Sequence, residues 1–244
     1  MTDTAQQLQQ AANAPAPSLA EAARYALLRR LAPSMRHHLV VNLQPIGMIY
    51  EVMDRRLRAP EPDLAEVHDS AHKINGFARA ALNSCLDVVT WLAPDEDVSV
   101  AAAEGVRQCL GLLTTSLTFR GFTLHNEAAA VAGEIRRSAI RNVLTASLIN
   151  ITDENKAPAE IVLAAEPNDQ ALVLSLTLRP TDGEQGFTPE PVYRPIEWSD
   201  VEALAASESV QVSREGRQRL LISIPLRLSP EAQGLHRRGQ ADPA

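Results

Sequence analysis

The sequence predicts an α+β protein in which an N-terminal helical hairpin, residues 18–93, precedes an α/β sandwich domain, residues 97–228. In the first third of the chain, apolar residues recur at spacings of three and four, which is typical of amphipathic helices. After residue 97, helical stretches alternate with short aliphatic runs that have the character of strands. Apolar residues make up 45% of the chain and aromatic residues only 4%, so the core should be aliphatic and closely packed.

Composition narrows the possible partners and the compartment. The net charge of -7 and the pI near 5.4 argue against nucleic-acid or anionic-membrane binding, because both require a basic face. The two cysteines, Cys85 and Cys109, lie inside apolar helical patterns and do not form a disulfide framework. No run approaches the length of a membrane span, and the N-terminus lacks the pattern of a signal peptide. We therefore expect a cytoplasmic protein without nucleic-acid or membrane partners.

The first helix should begin at a cap and meet two prolines. Ser18 with Glu21 three residues later has the pattern of a capping box. Pro33 is expected to kink or break the helix, with Ser34 capping its restart. Pro45 removes one further backbone hydrogen bond and should bend the helix. The polar, Pro-containing segment before Ser18 has nothing to bury and should be disordered.

A second long helix should follow the turn at residues 59–62. Pro62 suits its first turn, and acidic residues at Asp63 and Glu66 suit its N-terminus. Two antiparallel helices joined by a tight turn leave apolar surface exposed. A second copy of the hairpin would cover this surface, which predicts a homodimer held by a four-helix bundle.

A His-His pair precedes an apolar stripe in the first helix. His37 is in register with this stripe, whereas counting from His38 places Gln44 and Gly47 where apolar residues are needed. The stripe consists of Leu39, Leu43, Ile46, Ile49, Tyr50 and Met53. His37 is therefore expected near the edge of the stripe, with His38 about 100° further round the helix.

A second histidine pair lies in the second helix. His68 and His72 are separated by four residues, a spacing that can hold a metal when both side chains face a pocket. No third ligand or HExxH pattern accompanies them. We expect a solvated face shared with Asp69 and Lys73 and no metal site.

Beyond residue 97 the pattern predicts helices laid on one face of a mostly antiparallel sheet. The predicted helices span residues 98–121, 133–152 and about 199–207. The predicted strands span residues 122–126, 160–166, 171–180, 209–215 and 219–228. The tail from residue 229 should be disordered.

The order of these parts resembles the dimerisation and ATPase-like domains of two-component histidine kinases, over about residues 19–228. His37, Leu39, Ile46 and the run at residues 51–53 match the family's H-box, in which the reactive histidine is followed by an acid. His38 takes the place of that acid.

The matches to the nucleotide boxes are weaker. The segment around Asn150 resembles the metal-holding N-box, although an Asn near a helix end can equally be a cap. Phosphate binding needs glycines that let backbone N–H groups approach closely. The segment TDGEQGF, residues 181–187, resembles the first glycine box only weakly, and the second glycine box is absent from the sequence. ATP binding, hydrolysis and autophosphorylation are therefore not expected.

A phosphoacceptor hairpin without nucleotide boxes is similar to the dimeric histidine phosphotransferases, degenerate relatives of sensor kinases. This resemblance implies that His37 accepts a phosphoryl group from one response regulator and passes it to another. Arg36 and His38 would contact the phosphoryl oxygens, or else belong to a solvated face. Mg²⁺ would come from the regulator, so the chain needs no cofactor of its own. A hybrid sensor kinase is a further candidate partner.

Two alternatives remain open at the level of sequence. The first is a dimeric adaptor that binds kinases or regulators without accepting phosphate. The second is an active histidine kinase with an eroded nucleotide site.

Overall fold

The computed structural model of the 244-residue chain describes residues 18–93, 98–166, 168–183, 186–187 and 193–227. The two terminal segments that were predicted to be disordered, the one before Ser18 and the tail from residue 229, lie outside the described residues. Among the described helices, none is long and apolar enough to cross a membrane.

Two long helices form the N-terminal hairpin. Helix α1 spans Leu19–Leu57 and helix α2 spans Leu64–Leu92. The Ser18 hydroxyl oxygen accepts a hydrogen bond from the Glu21 backbone N–H at 3.2 Å, as the capping pattern predicted. The Asp63 carboxylate caps α2 by accepting from the backbone N–H groups of Ala65 and Glu66. Asp63 is therefore the cap, and Pro62 precedes the helix instead of occupying its first turn.

Helix α1 passes through both prolines without a break, so the predicted break at Pro33, with Ser34 as the cap of a restart, is wrong. Each proline removes one backbone hydrogen bond and crowds the preceding turn, at a cost of about 3 kcal/mol in a helix interior. Leu31 and Met35, on either side of Pro33, are buried in the main core. This packing holds the helix together across the proline.

The α/β domain has seven strands and three helices among the described residues. Its strands are β1 (Ser99–Ala101), β2 (Phe122–Asn126), β3 (Glu134–Arg136), β4 (Ala159–Glu166), β5 (Ala171–Pro180), β6 (Gln211–Glu215) and β7 (Arg219–Pro225). Its helices are α3 (Ala102–Phe119), α4 (Arg137–Glu154) and α5 (Trp198–Ser207). The short strands β1 and β3 were not predicted, because three residues carry too little periodicity to be recognised.

The main sheet has the order β2-β4-β5-β7-β6, with β2 and β4 parallel and every other pair antiparallel. Strands β1 and β3 pair separately in an antiparallel ribbon. Buried side chains alternate along β4 and β7, so one face of the sheet is covered. Helices α3, α4 and α5 pack on that face, which confirms the predicted fold class.

Helix α4 lies in the centre of the molecule. Its residues from Ser138 to Thr152 are all buried. The first half of α1 contributes to the same core as α4, α5 and the sheet through Ala23, Ala26, Leu27 and Leu31. Helix α1 therefore belongs to the hairpin in its second half and packs against the α/β domain in its first half. The limits predicted for the two domains stay a prediction.

The two cysteines differ in environment. Cys109 is fully buried on α3, and burial raises the pKa of its thiol to about 12. Cys85 is exposed on α2. Both are free thiols, so neither forms a disulfide within the chain.

Candidate functional site

The two histidines of α1 point in different directions. His37 is exposed, whereas His38 is half-buried, and their ring centroids are 6.4 Å apart. Successive residues of a helix are rotated by about 100°, so two neighbours cannot share one face. His37 is therefore the more accessible of the two histidines to another molecule.

The predicted register of the pair is wrong. His38 faces α2 and lines a cleft together with residues of that helix, while His37 points away from the hairpin seam. The residues of α1 that are at least partly shielded beside the seam include Met35, His38, Leu39, Asn42, Ile46, Ile49 and Met53. Leu43 and Tyr50, which were assigned to the same stripe, are exposed. The apolar residues of α1 form two stripes, and periodicity alone merges them into one.

A polar contact crosses the seam beside His38. The Asn42 side-chain amide donates to the His38 backbone carbonyl and to the Ser84 hydroxyl oxygen of α2, each at 3.1 Å. The Ser84 hydroxyl donates in turn to the Ala80 carbonyl. Asn42 therefore couples the backbone beside the histidine pair to the facing helix.

Open clefts lie on both sides of His38. The larger one has a volume of about 290 Å³ and is bounded by α1 and α3. Its lining consists of Pro33, Ser34, His37, His38, Leu112, Thr115, Ser116 and Phe119. The smaller cleft, of about 210 Å³, lies between α1, α2 and α3 and includes Asp87 and Trp91. The exposed His37 thus stands at the rim of a cleft that the hairpin shares with the α/β domain.

Charges near the histidines are few. Arg36 is exposed and has no ion pair among the residues that the structure describes. Asp87 is bound to Arg141, with 2.6 Å between Oδ1 and Nη2. Arg36 and His38 flank His37 on opposite sides of α1, at about 100° each. Arg36 is therefore available to an anion, while the negative charge of Asp87 is already neutralised.

Arg141 is a central residue that the sequence did not reveal. It is buried on α4, donates to Thr90 and Asp87 of α2 and to Gln108 of α3, and stacks 4.9 Å from the Trp91 ring centroid. The sequence showed only an Arg in a helical run, with no signal of its partners. The contact fixes α2 relative to α3, and with it the width of the clefts beside His38.

The second histidine pair lies on an exposed face of α2. His68 and His72 are exposed on α2 with ring centroids 5.3 Å apart. Asp69 is paired with Lys73 at 2.7 Å, and this hydrogen bond holds the pKa of Asp69 below its usual value. No cluster of three or more His, Cys, Asp or Glu side chains that would hold a metal occurs in the described part of the chain. The solvated face expected from the sequence fits this arrangement.

The residues that resembled nucleotide boxes serve internal contacts. Asn150 is 1% exposed, and its side-chain amide donates to the Ile196 carbonyl at 2.8 Å and to Glu154 at 3.1 Å. Gly186 lies against the backbone of Gly121 so closely that a Cβ atom would come within 2.1 Å of the Gly121 nitrogen. Gly186 is thus required for contact between two backbones, and Asn150 joins α4 to the segment before α5.

No protein-family model matches the sequence, and no curated protein matches it either. Among solved structures, the chain is similar to a histidine kinase from Burkholderia phymatum, with a TM-score of 0.41 and 15% identity over 81% of this chain and 98% of that chain. A bacterial phosphotransferase gives a TM-score of 0.38 and 14% identity over 81% and 95% of the two chains.

The histidine kinase ThkA, solved in complex with the response regulator TrrA, gives a TM-score of 0.40 and 15% identity over 85% of this chain and 64% of that chain. These likenesses concern the fold, a helical N-terminal region followed by an α/β sheet domain. They leave the function to be argued from the chain's own residues.

Proposed function

We propose that this protein relays phosphoryl groups between the aspartates of response-regulator receiver domains, through phosphohistidine at His37. The observation that carries the proposal is the exposed imidazole of His37 at the rim of an open cleft on a helical hairpin. An imidazole near neutral pH offers an uncharged nitrogen that can act as a nucleophile. Exposure matters because the phosphorylated group of the partner lies on another protein.

The proposed transfer of the phosphoryl group needs no external acid. Nε2 of His37 would attack the phosphorus of an aspartyl phosphate, an N–P bond would form, and the P–O bond to the aspartate would break. The leaving group is a carboxylate, which is stable as an anion and needs no proton. A second receiver aspartate would then attack the same phosphorus and regenerate His37.

The flanking residues have supporting roles in this proposal. Arg36 would pair with phosphoryl oxygens, since its guanidinium is a strong donor to such anions and has no ion pair within the described residues. His38 would donate from the rim of the cleft. Mg²⁺ would be supplied by the receiver's own acidic pocket.

The burial and the hydrogen bonds of Asn150 favour a relay over an ATP-dependent kinase. Its side chain is buried and already engaged with Ile196 and Glu154, so it is not presented to a nucleotide or a metal. The first half of α1 packs beside it against α4 and α5, in the same hydrophobic core. A nucleotide bound at Asn150 would have to displace this packing.

The proposal also includes a homodimer. On α1, Leu43 and Tyr50 are exposed, and on α2 Leu82, Cys85 and Val89 are exposed. In two antiparallel helices, residues that are displaced by the same angle from the helix–helix seam lie on the same side of the hairpin. The exposed residues of α1 and α2 therefore form one apolar face. A second hairpin would cover that face and leave His37 accessible on the outside.

The decisive experiment measures the transfer of labelled phosphate. The purified protein would be mixed with receiver domains that carry ³²P-aspartyl phosphate and, in a separate reaction, with labelled ATP and Mg²⁺. We expect acid-labile label from the receiver and none from ATP. His37→Ala should abolish labelling, and the matched variant His38→Ala should retain it, because only the first removes the exposed nucleophile.

Other results would contradict the proposal in defined ways. Label on His37→Ala but not on His38→Ala would show that His38 is the phosphoryl acceptor. Label from ATP alone would indicate a kinase. Receiver binding without label would indicate an adaptor.

A further inference from the structure

A continuous groove separates α1 from α3 beside the histidine pair. It is formed by the two clefts described above, which meet at Leu112 of α3. One wall carries His37 and His38. The other wall is the exposed side of α3, with Thr115, Ser116 and Phe119. This groove lies on the opposite side of the hairpin from Leu43 and Tyr50, so the proposed dimer would leave it open.

An exposed aromatic pair extends the α3 wall. Phe119 is 61% exposed and Phe187 is 65% exposed, with ring centroids 5.5 Å apart in an edge-to-face arrangement. The Phe187 backbone N–H donates to the Phe119 carbonyl at 3.0 Å, which holds the second ring beside the first. Two large apolar side chains presented together on a surface are typical of a protein contact.

The charge of the groove favours an acidic partner. The chain as a whole carries a net charge of -7, yet the eight residues lining the larger cleft include no carboxylate. The one carboxylate that lines the smaller cleft, Asp87, is paired with Arg141 at 2.6 Å. A receiver domain surrounds its phosphorylated aspartate with further acidic groups that bind Mg²⁺. An acidic protein can accept such a partner only across an uncharged or basic surface. The groove beside His37 is a surface of this kind.

The α3 wall is held at a fixed distance from the hairpin. Arg141 bonds Asp87 of α2 and Gln108 of α3 at 2.6 and 2.9 Å. Leu112 of α3 is 7% exposed and lines both clefts. A wall that is fixed in this way discriminates between partners by shape.

We infer that α3 forms the second wall of the receiver-docking groove, and that Thr115, Ser116 and Phe119 determine which receivers reach His37. This inference rests on the proposed transfer function and specifies its partner contact. A receiver that brings its aspartate within reach of His37 lies across the groove and meets these three side chains. They act on binding and take no part in the chemistry.

The test compares two neighbouring threonines of α3. Thr115→Glu places a longer, negatively charged side chain in the groove, whereas Thr114→Glu adds the same side chain about 100° further round the helix, outside both clefts. Both threonines are exposed, so both variants should fold. With a panel of receiver domains phosphorylated by acetyl phosphate, Thr115→Glu of the full chain should lower the transfer rate and the receiver affinity at least about tenfold, because the added charge repels an acidic partner. Thr114→Glu should match the wild type.

A second variant guards against misfolding of the first. Phe119→Ala removes an exposed ring and inserts nothing, and it should weaken receiver binding in the same direction. If the wild-type protein accepts label on His37, and both Thr115→Glu and Phe119→Ala show wild-type rates, the groove is refuted and the relay stands. If the wild-type protein binds receivers but takes up no label, and Thr115→Glu loses this binding, the groove is supported and the relay is refuted.

Discussion

Single buried carboxylates connect the hairpin to the α/β domain. Asp153, at the end of α4, accepts two hydrogen bonds from Arg30 of α1 at 2.5 and 2.7 Å. It also accepts from Arg120 at 3.0 Å and from the Ile196 backbone N–H at 3.0 Å. All four donors converge on one side chain with little exposure. Through these hydrogen bonds, the Asp153 carboxylate connects α1, the end of α3, α4 and the segment before α5.

Glu208 has the same role beyond the end of α5. Its carboxylate accepts from Ser138 and Asn142 of α4, at 2.8 and 2.7 Å, and from Arg24 of α1 at 3.4 Å. In the sequence, Asp153 and Glu208 look like ordinary charges near helix ends. Only its partners, which lie 66 to 184 residues away along the chain, distinguish Glu208 from an exposed glutamate.

Replacing Asp153 should destabilise the protein strongly. Asp153→Asn leaves Arg30 and Arg120 partly buried with no counter-charge, and breaking a buried ion pair in this way costs about 3–5 kcal/mol. We expect the free energy of unfolding, measured by urea titration at pH 7, to fall by about 3 kcal/mol. The control is Asp69→Asn, since Asp69 pairs with Lys73 in full exposure and should give no measurable change. Equal stability of the two variants would contradict the role of Asp153.

At the scale of elements, the hairpin presents two different surfaces. On one side, Leu43 and Tyr50 of α1 join Leu82 and Val89 of α2 in an apolar face. On the other side, α2 contributes polar groups such as Asn83 and Asp87, and α3 covers part of the surface. The first side is suited to a copy of the same hairpin, and the second to a partner that reaches His37.

Two apolar residues of α1 separate these surfaces experimentally. Leu43 and Met48 are 51% and 56% exposed, and they point about 140° apart on the helix. Leu43→Lys should place a charge in the dimer interface and convert the dimer to a monomer in sedimentation velocity. Met48→Lys should remain dimeric, because Met48 lies on the outer side with His37. A monomeric wild type, or a dimer unaffected by Leu43→Lys, would contradict the assigned face.

At the scale of the whole molecule, hairpin and α/β domain share one core. Buried residues of α1, including Leu27 and Leu31, belong to the same cluster as Leu204 of α5 and the strands of the main sheet. The ion pairs of Arg30, Arg141 and Arg24 add three connections at separate places. A protein built in this way should unfold as one unit.

The two tryptophans report on the two parts separately. Trp91 lies in α2 beneath Arg141, and Trp198 begins α5 beneath Arg214. Trp198→Phe leaves a fluorescent reporter in the hairpin, and Trp91→Phe leaves one in the α/β domain. Each unfolding transition, followed by fluorescence in urea, should coincide with loss of helical circular dichroism in the same variant. An earlier transition at Trp91 would show that the hairpin unfolds independently.

The sequence by itself determined the order of elements, since periodicity and capping depend on residues close together in the chain. The Ser18 cap, both hairpin helices and all five strands of the main sheet were predicted. The choice of His37 also came from the sequence, although the register used for it was wrong. Two apolar stripes on α1 give one periodic signal, and no local pattern shows which stripe meets α2.

Tertiary structure decided how the site is built. Helix α1 continues through Pro33 because the packing of residues on both sides of the proline offsets the lost hydrogen bond. The tertiary structure placed His38 in the seam, exposed His37, and brought α3 within reach of both to form the groove. Arg141 and Asp153 became central only when distant residues met, because a charge gains its role from partners that are far away in the sequence.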